Sequence, residues 1–199
     1  MEPTPELKSV CVFCGSSDAA DPDFLADAAK LGRALAAAEV RLVYGGGGVG
    51  LMGACARAAH EAGGAVLGVI PDFLVSRERA LDVVETVVVT SMHDRKMLMF
   101  QQSDGFVILP GGIGTLEEVV ELLSWRRLDL HAKPIVFYNP KAYWGLLFDL
   151  FQHTIDQELT PPSFLHAFTS VDEVDDVLPA LLGQRRPPPD VAEAAARLT

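Results

Sequence analysis

Residues Leu109-Pro110-Gly111-Gly112-Ile113-Gly114-Thr115-Leu116-Glu117-Glu118 bring glycines, a hydroxyl and two acids into one short stretch. An apolar run, Gly105-Phe106-Val107-Ile108-Leu109, precedes them and reads as a buried strand. An amphipathic run from Leu116 to Leu130 follows and reads as a helix. Glycines let a backbone approach a ligand closely, and the first N–H groups of a helix are unpaired donors for an anion. The stretch therefore reads as a phosphate cradle with a carboxylate, Glu118, one turn inside, and suggests chemistry on a nucleotide. A plainer reading stands beside this one. Thr115 to Glu118 fits a capping box, with Thr115 at N-cap and Glu118 at N3, worth about 1 kcal/mol and requiring no function. Glu117 equally suits a first-turn partner of the helix dipole.

Other loops share this character. Cys14-Gly15-Ser16-Ser17-Asp18 follows the first strand; Gly15 permits a tight turn, and the serines can bind a phosphate or cap the next helix. Tyr44-Gly45-Gly46-Gly47-Gly48-Val49-Gly50-Leu51-Met52-Gly53 follows the second strand. Gly48-x-Gly50-x-x-Gly53 matches the dinucleotide fingerprint in form only. It follows the second strand instead of the first, and Pro71-Asp72 stands where a strand-ending ribose acid would be needed. Ser91-Met92-His93-Asp94-Arg95-Lys96 opens another helix at the same sheet edge. Cations at a helix start oppose the dipole, so Arg95 and Lys96 read either as phosphate grips or as solvated surface charges.

The cysteines are Cys11, Cys14 and Cys55. Cys11-Val12-Phe13-Cys14 has redox-pair spacing, but it ends a strand instead of opening a helix, and it reads as small buried hydrophobes. His60, His93, His131, His153 and His166 show no metal-ligand spacing. No metal or redox cofactor is expected.

The elements that must position these residues alternate throughout. Strands are expected at Ser9–Phe13, Arg41–Tyr44, Ala65–Ile70, Glu85–Thr90, Phe106–Leu109, Pro134–Tyr138 and Ala167–Ser170. Helices are expected at Pro22–Ala38, Gly50–Ala62, His93–Ser103, Thr115–Leu130, Ala142–Glu158 and Val171–Leu182. Continuous apolar strands alternating with helices imply an α/β fold: a single Rossmann-like, doubly wound parallel sheet of about seven strands with helices on both faces. Its ligand belongs outside the carboxyl ends of the strands, at a switch point. The expected domain is 8–183, with flexible termini at 1–7 and 184–199.

The chain has 199 residues, 49% hydrophobic and 22% charged, enough for one domain with a sizeable core. A net charge of -11 argues against a nucleic-acid surface. No apolar run reaches the roughly 18 residues of a membrane span. The N-terminus, Met1-Glu2-Pro3-Thr4-Pro5-Glu6, lacks the basic start and apolar core of a signal peptide, so the expected location is cytoplasmic.

Pro110-Gly111-Gly112-Ile113-Gly114-Thr115-Leu116-Glu117-Glu118, read as PGGxGTxxE, together with Met92-His93-Asp94-Arg95-Lys96 resembles the Lonely Guy (LOG) family of nucleoside 5′-monophosphate phosphoribohydrolases, often mislabelled lysine decarboxylases. The likeness runs from Val10 to about Glu158 and includes Cys14-Gly15-Ser16-Ser17 and Gly45-Gly46-Gly47. It implies a Rossmann-like homodimer with active sites near the interface. It implies hydrolysis of the N-glycosidic bond of a cytokinin riboside monophosphate, or AMP, to free base and ribose 5-phosphate. By the same resemblance Arg95 and Glu118 form the catalytic pair, and Gly111, Gly112, Gly114 and Thr115 hold the phosphate. Gly15, Ser16, Gly45, Gly46, Met92, Lys96, Ile113 and Glu117 join them as candidate substrate contacts. Glu78, in Ser76-Arg77-Glu78-Arg79, looks like the family's substrate-binding Glu, although family members often carry Pro-Arg-Glu at a slightly different spacing. The alternative is a nucleotide- or cofactor-binding carrier module without turnover, as in the related molybdenum-cofactor carriers. A pyridoxal-phosphate decarboxylase needs a Schiff-base lysine, and only Lys96 is near. Apolar faces such as Met97-Leu98-Met99-Phe100 and Leu122-Leu123-Trp125 belong mainly to the core, with some left for a second subunit.

Overall fold

The computed structural model describes residues 7–184. The segments expected as flexible termini lie outside the described residues, apart from Leu7 and Gln184. Seven strands alternate with six α-helices: β1 (Ser9–Phe13), α1 (Pro22–Ala37), β2 (Arg41–Tyr44), α2 (Gly50–Glu61), β3 (Val66–Pro71), β4 (Glu85–Val89), α3 (Met92–Gln101), β5 (Gly105–Ile108), α4 (Ile113–Arg127), β6 (Ile135–Tyr138), α5 (Gly145–Asp156), β7 (Thr169–Val171) and α6 (Val177–Gln184).

All seven strands form one parallel sheet in the order β4-β3-β2-β1-β5-β6-β7. The chain winds outward from β1 to β4, then returns to the other side of β1 as β5. β1 and β5 are thus the strands where the winding reverses, and their diverging connections leave a crevice at the carboxyl ends. In register, Val10 lies opposite Leu42 on one side and Gly105 on the other.

Both faces of the sheet's centre are covered, which is why β1, β2, β3, β5 and β6 are largely apolar and buried, whereas the edge strands β4 and β7 are partly exposed. Val10, Val12, Leu42, Tyr44 and Val107 pack with α1, α2 and α6 through Leu31, Leu35, Cys55 and Leu181. Cys11, Phe13, Val43, Phe106 and Ile108 face the other way, onto Met99 of α3, Val119 and Leu123 of α4, and Phe148 of α5. Alternate residues of one strand thus feed two cores. Burying one such side chain is worth about 1.5–3 kcal/mol.

The helix starts have identifiable causes, and four depart from expectation. The Asp21 carboxylate accepts from the Asp23 N–H at 3.0 Å, and Pro22 opens α1. α3 starts at Met92 because the Ser91 hydroxyl accepts from the Asp94 N–H at 3.0 Å. α4 starts at Ile113, with Gly112 extended at the N-cap and no side-chain cap. Thr115 is therefore inside the helix and Glu118 is in its second turn, so the expected capping box does not form. α5 starts at Gly145, after a 3-10 turn (Pro140–Ala142) in which Lys141 and Ala142 both have φ of 55°. Asp21 and Asp23 hold the Lys141 ammonium at 2.9 and 2.7 Å. α6 starts at Val177, not Val171, because Val171 pairs with Tyr138 in the sheet and a 3-10 turn (Val174–Asp176) intervenes. Among the described residues no helix is long and apolar enough to cross a membrane.

Candidate active site

A cavity of about 310 Å³ opens beyond the carboxyl ends of β1, β2 and β5. That is the lower end of the range for small-molecule sites. The end of β1 and its loop contribute Val12 to Ser17; β2 contributes Gly45; α2, Met52; and the β3–β4 connection, Glu78. α3 contributes Arg95 and Met99, and α4 contributes Gly112 to Thr115 and Glu118. The two loops at the winding reversal are tied together, since Gly15 N–H donates to Pro110 O at 3.0 Å.

The N-terminus of α4 stands at the cavity. Among the described residues no side chain caps it, so its first N–H groups and the positive end of its dipole face the cavity rim. α2, which carries the fingerprint-like glycines, is different. Gly50 N–H donates to Asp18 Oδ1 at 2.8 Å, and Leu51 N–H donates to Gly15 O at 3.0 Å. Gly50 has φ of 57°, and a Cβ there would lie 2.5 Å from the Ser16 carbonyl carbon. Its glycine serves close packing against the first loop, and a carboxylate already occupies its helix end. Asp18 is held below the usual carboxylate range by the Gly50 N–H first and by Arg79 second.

Arg95 is 6% exposed, so it is not a surface cation. Its Nε donates to Val69 O at 3.2 Å and Nη2 donates to Gly45 O at 3.1 Å. Nη1 lies 3.9 Å from Met92 Sδ. The guanidinium is thereby fixed across the ends of β2 and β3 with donors to spare. Gly45 makes this possible: a Cβ there would meet Nη2 at 2.0 Å.

Glu118 is 9% exposed. Burial pushes its carboxyl up to about 7; Glu117 and Glu78 push the same way, against Arg95 and Lys96. An acid that titrates near neutrality, in a cavity beside a fixed arginine, is placed for proton or charge work. Glu78 also lines the cavity, and its Oε2 is buried with no hydrogen-bond partner among the described residues. Its backbone is held at both ends: Glu78 N–H donates to Leu74 O and Gly48 N–H to Glu78 O, each at 2.8 Å.

Of the residues expected at the site, Gly15, Ser16, Gly45, Glu78, Arg95, Gly112, Ile113, Gly114, Thr115 and Glu118 line this one cavity. Gly46, Met92, Lys96, Gly111 and Glu117 do not. Gly46 packs under Ile70, and Gly111 O accepts from the Tyr143 hydroxyl at 2.8 Å. The Lys96 ammonium turns to Glu117 and to Glu121, the latter at 2.8 Å. Sequence reasoning missed Met52 and Met99 as lining residues. Met99 had a signal: it stands one helical turn after Arg95, on the same face of α3. Cys11, Cys14 and Cys55 are free, buried thiols, and Cys14 reaches the cavity.

Fold and cavity together define a Rossmann-like protein whose switch-point pocket is arranged around an uncapped helix N-terminus, a fixed arginine and a buried acid. Comparison with known proteins narrows that class. A family model described as "Possible lysine decarboxylase" matches residues 52–181. An Oryza sativa subsp. japonica protein named probable cytokinin riboside 5'-monophosphate phosphoribohydrolase LOGL9 is 43% identical over 173 residues, 86% of this chain and 76% of its own. The Arabidopsis thaliana cytokinin riboside 5'-monophosphate phosphoribohydrolase LOG5 is 40% identical over 176 residues, 88% of this chain and 77% of its own. This chain belongs to the Lonely Guy (LOG) family. The molybdenum cofactor carrier protein of Chlamydomonas reinhardtii superposes with a TM-score of 0.67 at 22% identity, covering 90% of this chain and 98% of that one, a likeness of fold alone.

Proposed function

We propose that the protein hydrolyses the N-glycosidic bond of a purine nucleoside 5′-monophosphate, of the cytokinin riboside type or AMP, releasing free base and ribose 5-phosphate. The observation that carries this reading is the pairing of an uncapped α4 N-terminus with a buried acid one turn further along the same helix. An anchored 5′-phosphate leaves the sugar within reach of Glu118 and Arg95. The family relatives bear names for this activity.

In this reading the α4 N–H groups and Thr115 hold the phosphate, and the orphan Glu78 carboxylate oxygen accepts from ribose hydroxyls. The C1′–N bond breaks with its electron pair leaving on the base, and positive charge develops at C1′. A water oxygen bonds to C1′; one of its protons stays on the new hydroxyl and the other ends on the base. Whether Glu118 attacks, activates the water or stabilises the cation, the ionised form is the one required. Arg95 orients the phosphorylated sugar. The decarboxylase description of the family model has no support in this cavity, because no lysine lines it.

Free base released from AMP and isopentenyladenosine monophosphate, followed by chromatography, tests the proposal. Release by the wild type that is lost in Glu118→Gln, with nucleotide still bound, is expected. Stoichiometric binding without release from either nucleotide would favour the carrier reading instead.

We also propose a homodimer with active sites near its interface. Ile113 lines the cavity yet is 84% exposed, and Val120, two turns along the same face of α4, is 49% exposed. A second subunit over that face would cover both and shield the cavity mouth. A monomeric mass by light scattering at micromolar concentration would defeat this. The free buried thiols accord with a reducing compartment such as the cytoplasm, which cell fractionation checks.

A further inference from the structure

Lys96 follows Arg95 directly, but the roughly 100° between successive helical side chains sends the two to different places. Arg95 enters the cavity, whereas Lys96 runs along a narrow cleft between α3 and α4, walled by Phe13, Phe100, Phe106, Leu122 and Trp125. Its side chain is 12% exposed, against 53% for Glu117 and 30% for Glu121, the carboxylates it pairs with. Those two stand one turn apart on α4, where like charges repel. Glu118 lies next to the first of them and lines the same cleft. A single, partly buried ammonium therefore joins the helix that carries Arg95 to the helix that carries Glu118. Burial disfavours that ammonium, but the pairs with Glu117 and Glu121 outweigh burial and its pKa is raised.

We infer that Lys96 is a positioning residue, not a phosphate ligand: it clamps α3 to α4 so that Arg95 and Glu118 keep their relation across the cavity, and it balances the two carboxylates beside Glu118. The inference rests on the hydrolase reading for its kinetic test only.

The groups that face Glu118 are Arg95 and Lys96 from α3, Glu78 from the β3–β4 connection, Glu117 and Glu121 from α4, and the neutral thiols of Cys11 in β1 and Cys14 just beyond it. Removing Lys96 leaves two uncompensated carboxylates in this set, and removing those carboxylates leaves one cation in excess. The two changes should move Glu118 in opposite directions, which loss of packing alone does not do.

The test is base release against pH and nucleotide concentration for Lys96→Met, Lys96→Arg and the double variant Glu117→Gln/Glu121→Gln. Lys96→Met should lower kcat about tenfold or more, change KM less than about threefold, and move the rising limb of kcat to higher pH; Lys96→Arg should recover most of the loss. The double variant should move the limb to lower pH. A KM raised tenfold at unchanged kcat would make Lys96 a phosphate ligand and overturn the inference, as would a limb that stays in place in both variants. If Lys96→Met does not fold, the double variant decides alone. NMR titration of the Glu118 carboxyl carbon reads the same opposite shifts without turnover. An inactive wild type would therefore sink the hydrolase reading, while the carboxyl shifts would still decide the role of Lys96.

Discussion

Ionising Glu118 in the folded protein is unfavourable, because burial withholds water from the charge. Its carboxyl rises from an ordinary 4.5 to about 7, so the folded state prefers the neutral acid. The sign follows: the contribution of this group to stability is fully present below the unfolded value and lost as pH rises through the folded one. The amount is about 3–4 kcal/mol at most. Glu118→Gln should therefore melt higher than the wild type at pH 8 and no higher near pH 4, while turnover by the wild type rises with pH through about 7. A glutamine variant that melts lower at pH 8 would contradict the burial cost. The residue types of this pair were legible in the sequence; the burial of Glu118 was not. Spacing alone allowed a capping box. What excludes it is the extended backbone of Gly112, which starts α4 two residues before Thr115.

At the scale of elements, the site depends on how closely α3 can approach the ends of β2 and β3. A methyl group at Gly45 would displace the Arg95 guanidinium, which lies 2.0 Å from where that carbon would be. Gly45→Ala should cut kcat/KM at least tenfold while costing about 1–3 kcal/mol of stability, the usual range for overpacking. Steady-state kinetics beside a thermal melt separate the two effects, and a fully active Gly45→Ala protein would show that Arg95 need not sit there. Strand positions were readable because apolar runs are short and bounded by glycine or proline, and every strand lies within two residues of expectation. Helix starts were harder. The start of α5 depends on Lys141 meeting Asp21 and Asp23 of α1, and that of α6 on Val171 pairing with Tyr138, contacts far apart in the chain.

The whole molecule carries a charge of -11, and the ligand proposed for it is an anion. Approach is therefore opposed at long range and favoured only close to α4 and Arg95. Salt screens the first interaction over a Debye length of about 8–10 Å and affects the buried contacts much less. From about 10 to about 150 mM salt, kcat/KM for a nucleoside monophosphate should rise severalfold; a steady fall would mean that exposed cations dominate capture. Two helix ends meet at the switch point, and the chain has filled one of them with its own Asp18. Counted in phosphates, the proposed site would then read one. A second phosphate extending toward α2 meets a carboxylate in place of free N–H donors, so ADP should compete with AMP poorly, and Asp18→Asn should narrow the gap. Tail length, and not only the base, would then decide which nucleotides the proposed enzyme accepts.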